Sequence, residues 1–152
     1  MYNKILVPID GSTPAALGLA EAIKLATNQG ATLRLIHVVN EYIFTSSYDT
    51  GLAVASAIDS LRESGTSILK DGEASVRGAG VAVDSILTEA LGGQAGHLIV
   101  QQAKDWRADL IVMGTHGRRG IRRLVMGSDA EFVIRHTPVP VLLVRGHEAI
   151  QA

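Results

Sequence analysis

The chain is 152 residues long, carries a net charge of −1, is 47% apolar with only 4% aromatic residues, and contains no cysteine. That length suits one domain, able to bury roughly 70% of the surface its unfolded form exposes and so to fold without covalent staples. The composition excludes disulfides and cysteine-held metal and fits a reducing cytoplasm; the charge argues against general nucleic-acid binding, and no apolar run reaches the ~18 residues of a membrane span.

Met1-Tyr2-Asn3-Lys4 lead directly into an apolar run, so no signal peptide is expected. That run, residues 5–9, reads as a first buried strand. A helix follows, with Thr13 as its predicted N-cap, Pro14 at its first position and Gly30 as its stop. Its expected apolar stripe is Ala16, Leu19, Ala20, Ile23 and Ala26. Residues 33–39 read as the second strand, apolar on both faces apart from Arg34 and His37. The polar stretch 40–50, with Tyr42, Phe44 and Tyr48, reads as a surface loop, a lid over a cleft being the alternative.

The longest helix comes next, with Val54, Ile58, Leu61, Gly65, Ile68, Gly72 and Val76 stepping by fours and threes. Its two stripe glycines imply close approach to the sheet at some cost in helix propensity. Residues 81–88 form a third strand, and a helix follows with Ala95, Leu98, Ile99, Gln102, Ala103 and Trp106 on one face. A fourth strand at 110–113, a short helix at 128–136 and a fifth strand at 139–144 complete the alternation. Such a pattern predicts a Rossmann-like α/β fold, a five-stranded parallel sheet with helices on both faces, for which strand order 3-2-1-4-5 is a common winding. Residues 1–147 make up the single expected domain and 148–152 a C-terminal tail. Ligands of open sheets bind outside the carboxyl ends of the strands where the order reverses, here at the loops after Ile9 and Met113.

The unusual residues lie in those loops. Gly114-Thr115-His116-Gly117-Arg118-Arg119-Gly120 follows the fourth strand, and Gly127-Ser128 opens the last helix. Glycines admit a ligand close to the backbone, and a helix N-terminus offers free N–H groups and positive partial charge, which together suit a phosphate chain; they serve a plain turn equally well. Ser128-Asp129-Ala130-Glu131 is also a capping box. Asp10, in Asp10-Gly11-Ser12, is either a turn former or a ligand contact. Arg118, Arg119, Arg122 and Arg123 could neutralise phosphate or simply solvate a loop. His116 lacks a second ligand at metal spacing, and His37, His97 and His136 are scattered, so no metal site is assigned. Neither a G-x4-G-K-[S/T] loop nor a G-x-G-x-x-G after the first strand is present, which argues against a P-loop enzyme and a dinucleotide site. No base stands beside a nucleophile, so no catalytic residue is named.

The spacing Gly114-x2-Gly117-x9-Gly127-Ser128 resembles the nucleotide-binding pattern of the universal stress protein family, G-x2-G-x9-G-[S/T]. The resemblance extends to Lys4-Ile5-Leu6-Val7-Pro8-Ile9-Asp10-Gly11-Ser12, Leu35-Ile36-His37-Val38-Val39, Ala108-Asp109-Leu110-Ile111-Val112-Met113-Gly114 and Thr137-Pro138-Val139-Pro140-Val141-Leu142-Leu143-Val144, nearly the whole chain. It implies an adenine nucleotide alpha-hydrolase-like fold that binds ATP, with Mg²⁺ bridging the phosphates. Pro8, Ile9 and Asp10 would line the nucleoside end, Val38 would touch the adenine, and Met113 and Gly114 would run along the ribose and first phosphate. Gly117, Gly127 and Ser128 would hold the phosphates, with Asp129 and Ala130 adding backbone contact. Many members carry an apolar residue where Asp129 stands; its charge favours a helix start but opposes a triphosphate.

Pro138 and Pro140 assign the last strand to a sheet edge, since proline cannot donate to a ladder. Val139, Val141, Leu142, Leu143 and Val144 would leave that edge apolar, and the resemblance implies a homodimer through it. The expectation is a cytoplasmic, ATP-binding regulatory protein of the stress response that binds neither membrane nor nucleic acid. The alternatives are a nucleotide-free interaction dimer, or a slow ATPase in which Ser128 accepts phosphate, as autophosphorylation in the family suggests. A flavin domain is disfavoured by the scarcity of aromatic residues.

Overall fold

Ile5, Leu6 and Val7 are fully buried because the strand that carries them, β1 (Lys4–Pro8), runs through the middle of the sheet under helices on both faces. Removing each such side chain from water stabilises the fold by about 1.5–3 kcal/mol. The computed structural model describes residues 1–41, 51–92, 94–115 and 126–146. After β1 come α1 (Thr13–Gln29), β2 (Thr32–Asn40), α2 (Gly51–Gly78), β3 (Val83–Ala90), α3 (Ala95–Asp105), β4 (Leu110–Gly114), α4 (Ser128–His136) and β5 (Val141–Val144). Tyr42, Phe44, Tyr48, His116, Gly117, the four loop arginines and the tail 148–152 lie outside the described residues.

The strands pair in parallel in the expected order 3-2-1-4-5. β1 pairs with β2 from Lys4↔Thr32 to Pro8↔Ile36, and with β4 through Ile5↔Leu110 and Leu6↔Ile111. The order therefore reverses between β1 and β4. α1 and α2 cover one face, over Val7, Leu33, Leu35 and Val112, while α3 and α4 cover the other, over Leu6, Ile36 and Ile111.

Several local expectations are corrected. The first and third strands each sit one or two places from the predicted bounds, since ladder partners rather than hydropathy set where pairing stops. Ser12, not Thr13, caps α1, its hydroxyl accepting from the Ala15 N–H at 3.3 Å. The stripe of α1 is rotated: Ala15, Gly18, Leu19, Ala22 and Ala26 are buried, whereas Ala16 and Ala20 face solvent. Alanine fits either surface, so its pattern fixes a helix's phase weakly. In α2, Leu69 is buried beside the half-buried Ile68, and the implied close approach of its glycines is present. A Cβ on Gly65 would come within 2.6 Å of His37 Cδ2, and one on Gly72 within 2.9 Å of Ile9 Cδ1.

Arg34, the charge in an otherwise apolar strand, reaches sideways out of the sheet. Its Nε and Nη2 donate to Asp84 of β3 at 2.7 Å each, Nη1 donates to Gln102 at 2.9 Å, and the guanidinium lies 4.7 Å from the Trp106 ring. β5 lies at the sheet edge as expected but begins at Val141, two residues later than predicted, so that Pro138 and Pro140 precede it; Leu142 on it is partly exposed.

Candidate functional site

Most of the residues singled out in the sequence lie at the carboxyl ends of β1, β2 and β4 and at the start of α4. β1 runs out through Pro8 and Ile9 into Asp10, whose Oδ1 accepts from the Ser12 N–H at 2.9 Å. Gly11, at φ 80°, supplies the left-handed residue of that turn. The turn is anchored from β2: the Ile9 N–H donates to the Ile36 carbonyl at 2.9 Å, and His37 Nδ1 donates to the Ile9 carbonyl at 2.8 Å. His37 is thus a buried packing histidine, held against Gly65 of α2.

Gly114 ends β4 against the first turn of α1. A Cβ there would lie 2.5 Å from the Pro14 carbonyl oxygen, so this glycine is demanded by helix packing whatever else it serves. Thr115 then clamps the next loop at its base. Its N–H donates to Val144 at 3.1 Å, and its carbonyl accepts from the Gly127 N–H at 2.8 Å. The Gly127 N–H is therefore engaged with Thr115, while Ser128, Asp129 and Ala130 contribute the three N–H groups that precede the first intrahelical bond, Glu131 N–H to Gly127.

The capping box does not form. Gly127 is the N-cap, Ser128 is the first helical residue and, among the described residues, no side chain caps α4. This exposed hydroxyl is left at the mouth of the helix. Asp129 turns away instead: its Oδ1 accepts from the Gly96 N–H at 3.1 Å, capping α3, whose own N-cap Gln94 makes no side-chain bond. A charge that sequence alone sets against a triphosphate is thus directed at another helix N-terminus, where it is stabilising. Gly96 permits the approach, since a Cβ there would meet Phe132 at 2.9 Å and the Asp129 carbonyl at 3.1 Å. Val38 and Met113 pack with Ala130 in the layer under α3 and α4. Gly117 is the one selected residue outside the described residues. Thr115, His37 and Gly96 were not selected; only a polar residue inside a buried run, His37, carried a sequence signal.

A separate charge group joins the ends of β2 and β3 to α2. Arg62 holds both carboxylate oxygens of Glu89, bonds Asp59 at 3.0 Å and lies 3.9 Å from Glu41. The Glu89 carboxyl is held below its ordinary pKa, chiefly by its hydrogen bond with Arg62, and the guanidinium is raised in return. Glu41 is raised, first by desolvation and then by Glu89. The signs oppose: Glu89 adds stability above the ordinary carboxylate pKa that is lost as pH falls through its lowered value, whereas ionised Glu41 subtracts from it. Glu41→Gln is therefore expected to raise the urea midpoint at pH 7, the gain fading below about pH 4, where the parent carboxyl is protonated folded or unfolded.

Among the described residues, no group of three or more His, Asp or Glu is placed to hold a metal ion, and no helix is long and apolar enough to cross a membrane. A cleft of about 470 Å³ opens between the end of β3 and helices α3 and α4, lined by none of the sequence-selected residues.

The sequence matches the universal stress protein family over residues 1–145. It is 34% identical to a universal stress protein of Bacillus subtilis over 151 residues, covering 95% of this chain and 100% of that one. It is 35% identical to one of Methanocaldococcus jannaschii, covering 95% and 83%. Among solved structures, a universal stress protein family member from Burkholderia pseudomallei is 34% identical with TM-score 0.76, covering 94% of this chain and 96% of that one. The same fold at lower identity recurs in an Arabidopsis thaliana protein with AMP bound, 18% identical, TM-score 0.69, covering 96% and 93%. It recurs again in an Archaeoglobus fulgidus protein in complex with dAMP, 23% identical, TM-score 0.63, covering 93% and 97%. Matched along nearly its whole length by family, relatives and fold alike, the chain belongs to the universal stress protein family.

Proposed function

We propose that the chain binds an adenine nucleotide, ATP foremost, and acts in the cytoplasm as a homodimeric regulator in the stress response. The observation that carries this reading is the start of α4 at the sheet's reversal. There the N–H groups of Ser128, Asp129 and Ala130 and the Ser128 hydroxyl are grouped without intrahelical partners, and the Asp129 carboxylate in the same turn is directed onto α3. A helix N-terminus of this kind favours phosphate through N–H donors and dipole together. Pro8, Ile9 and Asp10 would border the nucleoside, Val38 the base, and Met113 and Gly114 the ribose; Gly117 is assigned to the phosphates by the motif alone. Nucleotide complexes of the Arabidopsis and Archaeoglobus proteins on the same fold support an adenosine ligand. Mg²⁺ would arrive on the phosphates, neutralising their charge. The apolar edge of β5 supports a dimer built on residues 139–144. Occupancy would regulate by favouring one of two conformations or partner states, which requires differential affinity between them.

Calorimetric titration of ATP with Mg²⁺ into nucleotide-free protein tests the reading, and saturable binding is expected. No heat at millimolar ATP from folded protein would replace it with a nucleotide-free interaction dimer. Sedimentation of the same sample as a single species of about 16 kDa would remove the dimer.

A further inference from the structure

β3 leaves one polar atom unanswered. Thr88 Oγ1 is shielded from solvent and makes no hydrogen bond among the described residues. Buried hydroxyls are ordinarily bonded, so an unpartnered one marks a place where something else completes the site. Its position suits that role. Side chains alternate across a strand, and Ile86 packs in the layer under α3 and α4, so Thr88, two residues on, faces the same layer. Its register partner in β2 is Val38, which packs in that layer as well. Immediately beyond, Glu89 and Ala90 begin the wall of the 470 Å³ cleft, which Leu98 of α3 and Phe132 of α4 continue.

At the carboxyl ends of β2 and β3 an apolar ledge and a lone hydroxyl therefore lie next to a mostly apolar cleft of ligand size, whose wall begins one residue beyond Thr88. Phosphate does not match this end: the N–H donors lie at the start of α4, and the cleft is bordered by Glu89. A planar heterocycle does match, having apolar faces for Val38 and a polar edge for the hydroxyl. We infer that Thr88 is a specificity-determining residue that hydrogen-bonds the edge of the nucleobase through Oγ1, an inference that rests on the adenine-nucleotide reading above. A hydroxyl both donates and accepts, so it can meet a ring nitrogen or an exocyclic amino group.

Thr88→Val, which keeps the shape and removes the hydroxyl, and Thr88→Ser, which keeps the hydroxyl, separate this role from a structural one. ATP affinity by calorimetry is expected to fall on the order of fivefold in the valine variant, the loss of one neutral hydrogen bond, and to stay within about twofold of the parent in the serine variant. The melting temperature of the nucleotide-free valine variant should equal or exceed the parent's, because no internal bond is lost. Unchanged ATP affinity in the valine variant overturns the inference. So does a clear fall in its melting temperature, which would reveal an internal partner for the hydroxyl. A parent that does not bind ATP overturns the nucleotide reading itself, and this inference with it.

Discussion

Gly114→Ala is expected to destabilise the protein by about 3 kcal/mol, the upper end of the usual cost of overpacking a core. The added Cβ would stand 2.5 Å from the Pro14 carbonyl oxygen and 2.6 Å from its carbonyl carbon, both backbone atoms in the first turn of α1. A flexible side chain could step aside; a helix turn capped by Ser12 moves only as a body, away from β4. Gly18→Ala, across the same junction, makes the useful contrast. Its Cβ would approach the Gly114 nitrogen at 3.1 Å and the Met113 carbonyl carbon at 3.3 Å, a tight fit that a small shift relieves. Alanine's better helix propensity, worth up to about 1 kcal/mol, offsets that shift. Urea midpoints should therefore separate the two variants widely, with Gly18→Ala near the parent. Equal midpoints for the two would mean that α1 does not press on the end of β4 as described. Because Gly114 is required by packing, loss of ligand on replacing it says little about phosphate contact.

Ser128→Asp separates the proposed phosphate contact from the fold. The residue is exposed and begins α4, where a carboxylate is tolerated by the helix dipole. Stability should stay within about 0.5 kcal/mol of the parent, since Asp129 and Glu131 already occupy the same turn and offset part of any gain. ATP affinity should fall more than tenfold, because a fixed negative charge would stand within a few ångströms of the triphosphate. The loss should shrink as salt is raised, as an electrostatic effect near solvent must. Calorimetry at two ionic strengths checks both statements. An affinity equal to the parent's would move the phosphates away from α4 and remove the main support for the proposed site.

The contrast between those two residues shows how far the linear pattern reaches. Gly114 and Ser128 both belong to the motif, but the structure gives them different duties, one to helix packing and one to an open helix end. Asp129 illustrates the same limit: its charge was legible, its direction was not. The acceptor role it plays toward Gly96 joins residues 33 apart in sequence, which no local spacing encodes. Thr115 carries no signal in the linear pattern, yet its backbone ties β4, β5 and the start of α4 together. His37 was visible as a polar residue inside a buried run, but its service to the Ile9 carbonyl depends on the neighbouring strand.

By itself the sequence determined the alternation of strands and helices, the parallel sheet and the edge position of the proline-led last strand. Those features follow from hydrophobic period and from proline and glycine stereochemistry, which act within a few residues and so are written locally. Only the tertiary structure decided the phase of α1, the true caps of α1 and α4, the partner of Asp129 and the unanswered hydroxyl of Thr88. Each of these depends on which distant group arrives across the sheet. Alanine-rich faces, carboxylates and hydroxyls accept several environments at similar cost, so packing, not local preference, makes the choice.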